Sequence, residues 1–269
     1  VALTTIGTTG AATVVNATDL DLAASTVNGD LVATATTGNL TDSGTVTVTG
    51  TSSFATSAAD ADIDLGTLAS TGSVALTTIG TTGAATVVNA TDLDLAASTV
   101  NGNLIATATT GDVTQSGALI VAGTTDISSI GGDIVLDTAT NSFAGSVTVV
   151  LDPSNNFTIV DVSALQLQDG LNVNELSVTA ANITQGTAID VGGASSFVSD
   201  GDINLSSVGN DFVGNVDFVG ANVNLQDVNA INFAASSASG AFDLTAGGDV
   251  TQSGGLNVAG ATSVSAVGS

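Results

Sequence analysis

The chain of 269 residues has no Lys, Arg, His, Cys, Met, Trp or Tyr, and only one Pro, Pro153. Each absence removes a class of chemistry. Without His and Cys there is no imidazole base, no thiolate, and no nitrogen or sulfur ligand for zinc, copper or iron. Without Lys and Arg nothing clamps a phosphate, and a net charge of −25 repels DNA, RNA and anionic lipid. Nucleic acid is therefore not an expected partner. The lack of Cys rules out a disulfide framework. No apolar run is long enough for a transmembrane helix, so membrane insertion is not expected. The first residues show no basic segment of the kind that opens a secretory signal, and Val1 starts in mid-repeat, so the expectation is a segment of a longer fibre.

What remains is enough to fold. Hydrophobic residues make up 43% of the chain, and this Val, Ile, Leu and Ala content can bury a core despite the charge. Residues Val1 to Gly29 recur letter for letter as Val74 to Gly102, 73 residues on. The segment Gly111-Asp-Val-Thr-Gln-Ser-Gly117 returns as Gly248 to Gly254, with looser versions starting at Gly38 and Ala181. Register is kept after each of these landmarks. Apolar pairs follow at Val46/Val48, Leu119/Val121, Ile189/Val191 and Leu256/Val258, and then single apolar residues at Phe54, Ile127, Phe197 and Val264. Self-similarity at a fixed period indicates a fold made by stacking one unit on the next. With no linker-like stretch, the expectation is one continuous structure over residues 1–269, made of about four units starting near 38, 111, 181 and 248.

Apolar and polar residues alternate in runs such as Leu20-Asp-Leu22, Ile63-Asp-Leu65 and Val223-Asn-Leu225, the pattern of half-buried strands. Thr, Val, Gly and Ser dominate and Glu occurs once, so essentially no α-helix is expected. Tandem β-sandwiches and a β-solenoid both accommodate short strands. A sandwich closes its own core around large aromatics, whereas a solenoid stacks small aliphatics turn upon turn. Eight Phe and no Trp or Tyr favour the solenoid. The predicted class is all-β, a parallel β-helix, right-handed by the crossover rule. Each unit would hold three or four coils, and the chain on the order of 12, spanning about 60 Å. Asn residues of the second half, Asn222 and Asn232 among them, are candidates for amide ladders between coils.

The Gly-Asp-Val-Thr-Gln-Ser-Gly run followed by Leu-x-Val-Ala-Gly (Gly111 to Gly123, Gly248 to Gly260) resembles the repeats of filamentous haemagglutinin-like exoproteins of bacteria. Asp-Ile-x-Leu (Asp133 to Leu136, Asp202 to Leu205) and Gly-Asn-Asp-Phe-x-Gly (Gly209 to Gly214) add to the likeness, which covers nearly the whole chain. The resemblance implies a large right-handed parallel β-helix exported to the cell surface, acting in adhesion, aggregation and biofilm formation.

Carboxylates are the only charged candidates for a site. Asp60, Asp62 and Asp64 alternate with apolar residues, which on a strand puts all three on one outward face about 6.6 Å apart. Two charges at that distance repel by roughly 0.6 kcal/mol in water, and a hard cation such as Ca²⁺ relieves the strain. Asp19 and Asp21, with their copies Asp92 and Asp94, offer the same spacing. Weak Ca²⁺ binding at these seven residues is weighed against a plain solvated acidic face. No cofactor is otherwise expected. Paired acids also serve glycosidases, but no Arg, His or aromatic platform stands near to tune them, and Ser and Thr have no base to activate them, so catalysis is not expected. Thr-x-Thr runs such as Thr45, Thr47 and Thr49 suggest ice binding, yet they do not recur once per coil. Asn-x-Ser/Thr sequons, Asn16 and Asn204 among them, match what chance gives in such a composition.

Neither Val1 to Gly10 nor Ala261 to Ser269 reads as a polar cap. The functional expectation is a structural, extracellular fibre or adhesin shaft at the cell surface, whose partner is itself, through covalent continuation or head-to-tail stacking. The alternative is a surface module binding Ca²⁺ or carbohydrate, on other cells or free.

Overall fold

A computed structural model describes residues 1–267. Gly268 and Ser269, the end of the segment read as uncapped, lie outside the described residues. The alternation read from the sequence becomes short strands with every other side chain buried, as in Leu20–Leu22, Val46–Val48 and Ile231–Phe233. The strands pair in parallel with those about 20 residues away, one turn on. The fold is an all-β parallel solenoid of about 13 turns, without helix among the described residues. No helix there is long and apolar enough to cross a membrane. The chain divides into two compact units, Val1–Gly145 and Ser146–Ser269.

In the first unit each turn crosses two faces. One face begins with continuous strands β1 (Ala12–Asn16), β4 (Leu31–Ala35), β7 (Ser52–Ala59) and β9 (Val74–Ile79). The opposite face begins with turns broken by a bend into three-residue pieces, β2 (Leu20–Leu22) with β3 (Ser25–Val27), then β5 (Leu40–Asp42) with β6 (Val46–Val48).

The two faces then exchange character. Strand β8 (Ile63–Ser70) pairs with both pieces β5 and β6 on one side and with the continuous β10 (Ala85–Asn89) on the other. Strand β9 does the converse, lying between continuous β7 and the pieces β11 (Leu93–Leu95) and β12 (Ser98–Val100). Beyond it, β13 (Leu104–Ala108) and β16 (Thr125–Ser129) stay continuous over β10. Over β11 and β12 lie the pieces β14 (Val113–Gln115) and β15 (Leu119–Val121), then β17 (Ile134–Leu136) and β18 (Ser142–Phe143). Register shifts mark both exchange points, between Val87 and Asn89 against β8 and between Ala55 and Ala59 against β9. A strand that bends spends residues its straight neighbour does not, and a bulge absorbs the difference.

This exchange explains the internal copy. Strands β1 and β10 have the same five residues, Ala-Thr-Val-Val-Asn, yet lie in opposite sheets. Three turns run from Ala12 through Leu31 and Ser52 to Val74, and the copy at Ala85 comes half a turn later. The 73-residue repeat is three and a half turns, between the three and four expected from coil length.

The second unit repeats the device. On one face lie β20 (Phe157–Val160), β23 (Leu176–Ala180), β26 (Ser195–Ser199) and β29 (Asn215–Gly220), all continuous. On another, β19 (Val147–Leu151), β21 (Ala164–Gln168), β24 (Asn182–Gln185) and β27 (Ile203–Leu205) are stacked. The pieces β22 (Asn172–Val173), β25 (Asp190–Val191) and β28 (Asp211–Phe212) form a small third sheet. The exchange follows at β29, which pairs with the pieces β31 (Ile231–Phe233) and β32 (Ser236–Ala238), and at β30 (Val223–Asp227), continuous over β27. The pieces β34 (Val250–Gln252) and β35 (Leu256–Val258) follow β33 (Phe242–Ala246), and β36 (Thr262–Ala266) pairs with β33 one turn on. The landmark thus falls on a different sheet each time within a unit, on β5 and β14 in the first and on β24 and β34 in the second.

The core consists of columns of inward side chains, such as Val14, Ala33, Phe54 and Leu76, with small and large residues interleaved. All eight Phe are fully buried. In the second unit, Phe197 meets Phe212 edge-on at 5.9 Å and Phe218 meets Phe233 at 5.7 Å, the geometry that ring quadrupoles favour. Of the positions that follow the landmarks, Val46, Leu119, Ile127, Ile189 and Phe197 are buried, whereas Val264 is 50% exposed because β36 pairs on one side only among the described residues.

The glycine closing the landmark marks a close approach. A Cβ on Gly44 would lie 2.7 Å from the Ala24 nitrogen one turn below, and Gly117 sits still tighter against Ala97. Gly117→Val is therefore expected to destabilise the first unit by about 1–3 kcal/mol, the usual cost of overpacking. Denaturant unfolding followed by circular dichroism checks this, and an unchanged midpoint would show slack between the turns.

Candidate functional site

Where the chain rounds a corner into a strand, the backbone N–H of each turn needs an acceptor that the sheet ladder does not supply. Asp and Asn side chains one turn below supply it. In the first unit the Asn39 N–H donates to Asp19 Oδ1 (2.8 Å), the Asp62 N–H to Asn39 Oδ1 (2.9 Å) and the Ala84 N–H to Asp62 Oδ1 (2.8 Å). A second column runs from Asp92 to Asp112 (3.0 Å) and from Asp112 to Asp133 (2.8 Å). In the second unit the column is Asn182, Asp202, Asn222 and Ala241, with bonds of 2.9, 3.0 and 3.0 Å. Ionised acceptors strengthen such bonds. The opening glycine of the landmark makes room for them. Gly111, at φ +124°, faces the Asp92 carboxylate, which would collide with any Cβ there.

The seven carboxylates singled out from the sequence take different places. Asp19, Asp62 and Asp92 belong to these columns. Asp60 is not on a strand as expected, because β8 starts only at Ile63 and Asp60 turns the corner in left-handed backbone, φ 63°. Its Oδ1 accepts from the Thr81 and Thr82 amides at 2.7 and 2.8 Å, and these bonds, Thr81 first, hold its carboxyl below the usual range. Asp21 accepts from the Ser43 hydroxyl at 2.7 Å. Asp94, its copy, has a buried Oδ1 without a hydrogen-bond partner. Asp64 is exposed on β8, beside Thr86 of β10. Among the described residues no group of three acidic side chains converges to hold a metal ion.

Sequence reasoning missed the strongest polar contacts. The fifth landmark residue, Asp42, Gln115 or Gln185, reaches the next turn in each case. Asp42 accepts from the Gly66 and Thr67 amides at 3.0 and 2.9 Å, where β8 bulges. Gln115 exchanges two bonds of 2.8 Å with Asn141, which is fully buried and also takes the Leu119 N–H and gives to the Leu136 carbonyl. Gln185 and Asn210 repeat this arrangement with Ile189 and Leu205. The legible signal was an Asn two residues before a Phe, Asn141-Ser-Phe143 and Asn210-Asp-Phe212, 26 and 25 residues after the landmark Gln. The expected amide ladders occur in part, with Asn174 donating to Asn156 at 2.9 Å and Asn232 to Asn215 at 2.6 Å.

Two grooves in the first unit, of about 270 and 230 Å³, are the same site 73 residues apart. Thr8, Thr9, Asn28, Gly29, Asp30 and Thr49 line one, and Thr81, Thr82, Asn101, Gly102, Asn103 and Ala122 stand at the matching places in the other.

This geometry defines a repeat solenoid whose polar side chains tie turn to turn. Residues 9–77, 82–150, 154–219 and 220–269 each match the family described as repeats of unknown function (DUF5649), and the chain belongs to that family. No curated protein and no solved structure matches it.

Asn141→Ala removes the side-chain partner of the Leu119 N–H, the Leu136 carbonyl and Gln115 Oε1, while Gln115 Nε2 keeps its bond to the Gly117 carbonyl. Each such group costs about 1–3 kcal/mol when buried, so the variant is expected to lose at least 2 kcal/mol, whereas Asp64→Asn on the surface stays within about 0.5 kcal/mol. Parallel denaturant curves for the two variants test this.

Proposed function

We propose that this chain is a structural, non-catalytic element, a segment of an extracellular fibre or adhesin shaft whose repeats set a distance and present a surface. The observation that carries the reading is the use of the acidic side chains. Asp19, Asp60, Asp92, Asp112 and Asp202 each accept from backbone N–H groups one turn away, so they build the stack instead of converging on a reacting centre. The likeness of the landmarks to filamentous haemagglutinin-like repeats supports a place at the bacterial cell surface, with adhesion and biofilm formation as the setting.

End-to-end stacking of further solenoid is part of this reading. Among the described residues, β1 pairs only with β4, and β34, β35 and β36 pair only with β31, β32 and β33. Such edges are templates for another strand. Negative-stain microscopy with light scattering of the purified chain is expected to show filaments or end-to-end multiples. A monodisperse, non-associating monomer at high concentration would overturn the stacking, and detection of the native protein only in the cytosol would overturn the surface role.

The paired grooves favour a second reading, a surface module for neutral carbohydrate, because hydroxyl and amide groups line both and Asp30 of one is Asn103 in the other. Titration with oligosaccharides followed by NMR separates the two readings, since shifts at Thr8, Thr9 and their copies Thr81 and Thr82 are expected only for a binding module.

A further inference from the structure

Asp227 closes β30, the first continuous strand after the faces exchange in the second unit, as Asn89 closes β10 in the first. Both are buried, Asn89 fully and Asp227 at 2% exposure. Asn89 clamps the turn below with both ends of its amide, Oδ1 accepting from the Ser70 N–H at 2.8 Å and Nδ2 donating to the Ser70 carbonyl at 2.9 Å. Asp227 makes half of that clamp. Its Oδ1 accepts from the Phe212 N–H at 2.9 Å, while its Oδ2 is buried without a hydrogen-bond partner.

The charges around it make an ionised Asp227 costly. Asp211, on β28, is next to Phe212 and pairs in register with Asp190 of β25. The Asn229 amide group donates to Asp211 Oδ1 at 2.8 Å. On the other side β30 pairs with β33, where Ala246 lies beside Asp227 and brings no charge, and Asp243 of β33 faces outward beside Asn224. No cation exists in the side chains of this molecule to offset the group. A buried carboxylate oxygen with neither a donor nor a counter-ion is a high-cost state, and taking up a proton removes it.

We propose that Asp227 is a proton-binding site of the folded solenoid, completing as a carboxylic acid the two-ended clamp that Asn89 makes as an amide, so that loss of the proton loosens the β28–β30 junction. Burial pushes its carboxyl above the usual range; the Phe212 amide pulls it down, Asp211 pushes it up, and the Asn229 and Val228 amides pull it down more weakly. Asp190 is raised too, by burial first and Asp211 second. An acid whose folded pKa lies above its unfolded value of about 3.9 holds its proton more tightly when folded. That contribution to the junction is complete below about pH 3.9 and is lost as the pH rises through the raised folded value. Asp60 has the opposite sign, since its lowered carboxyl favours folding above about pH 3.9 and that contribution fades as the pH falls through its folded value.

The test uses the full chain as wild type, Asp227→Asn, Asp227→Ala and Asp190→Asn. Carboxyl carbons of Asp are followed by NMR through the pH range, and hydrogen-exchange protection of the Phe212 amide is measured across the same range up to pH 7.5. Asp227 is expected to titrate above the ordinary Asp range, and Phe212 protection to fall as the pH rises through that titration in wild type and in Asp190→Asn. In Asp227→Asn protection should be independent of pH and, at pH 7.5, higher than wild type by about tenfold for each unit of raised pKa. Asp227→Ala should lose protection throughout the pH range, which separates the clamp from its charge. Titration of Asp227 in the ordinary range, or lower Phe212 protection in Asp227→Asn than in wild type at pH 7.5, would overturn the proposal.

Discussion

Stacking parallel backbone at about 4.8 Å governs everything else in this solenoid. Along a strand the ladder satisfies each peptide group, and the inward side chains need only be apolar and complementary in size to those of the next turn. At a corner the ladder lapses, and each exposed donor must find an acceptor within the same rise. A short side chain with an oxygen at its end, placed one turn below, meets that requirement, and Asp and Asn are the residues of that length. The columns from Asp19 to Asp62, from Asp92 to Asp112 and from Asn182 to Asn222 are its direct products.

The same requirement makes sense of a chain with many acids and no bases. A corner carboxylate is stabilised by peptide dipoles, so it does not need Lys or Arg nearby. Its energetics then depend on how many donors reach it. Asp60, with two amides on one oxygen, is held in its charged form, whereas Asp190, partly buried beside Asp211, is pushed toward the neutral one. One residue type is thus shifted in both directions, downward by backbone amides at Asp60 and upward by burial beside a second carboxylate at Asp190.

Much of the architecture was legible in the sequence because strand burial has a period of two and the landmarks hold their register. Positions such as Val46, Leu119, Ile127 and Phe197 read as core from spacing alone and are core. The carboxylates were less legible. Asp60, Ala61 and Asp62 look like the start of a strand, and nothing in their identities announces that the chain is still turning until Ile63. The Gln115–Asn141 contact was hidden for a different reason. Its partners are separated by a whole turn, and the second residue belongs to no repeated motif until its Phe neighbour is noticed. The exchange of faces was beyond reach, since it depends on the ratio of repeat length to turn length, and turn length is set by bends whose size local sequence does not declare.

That ratio has an evolutionary consequence. Because one unit advances the chain by a half-integral number of revolutions, duplicating a single unit carries every downstream surface group to the far side of the axis, while duplicating two returns each group to its original bearing. A lineage that lengthens this protein by recombination would keep its outward chemistry aligned only by growing in pairs, so parity of repeat number becomes a trait on which selection can act.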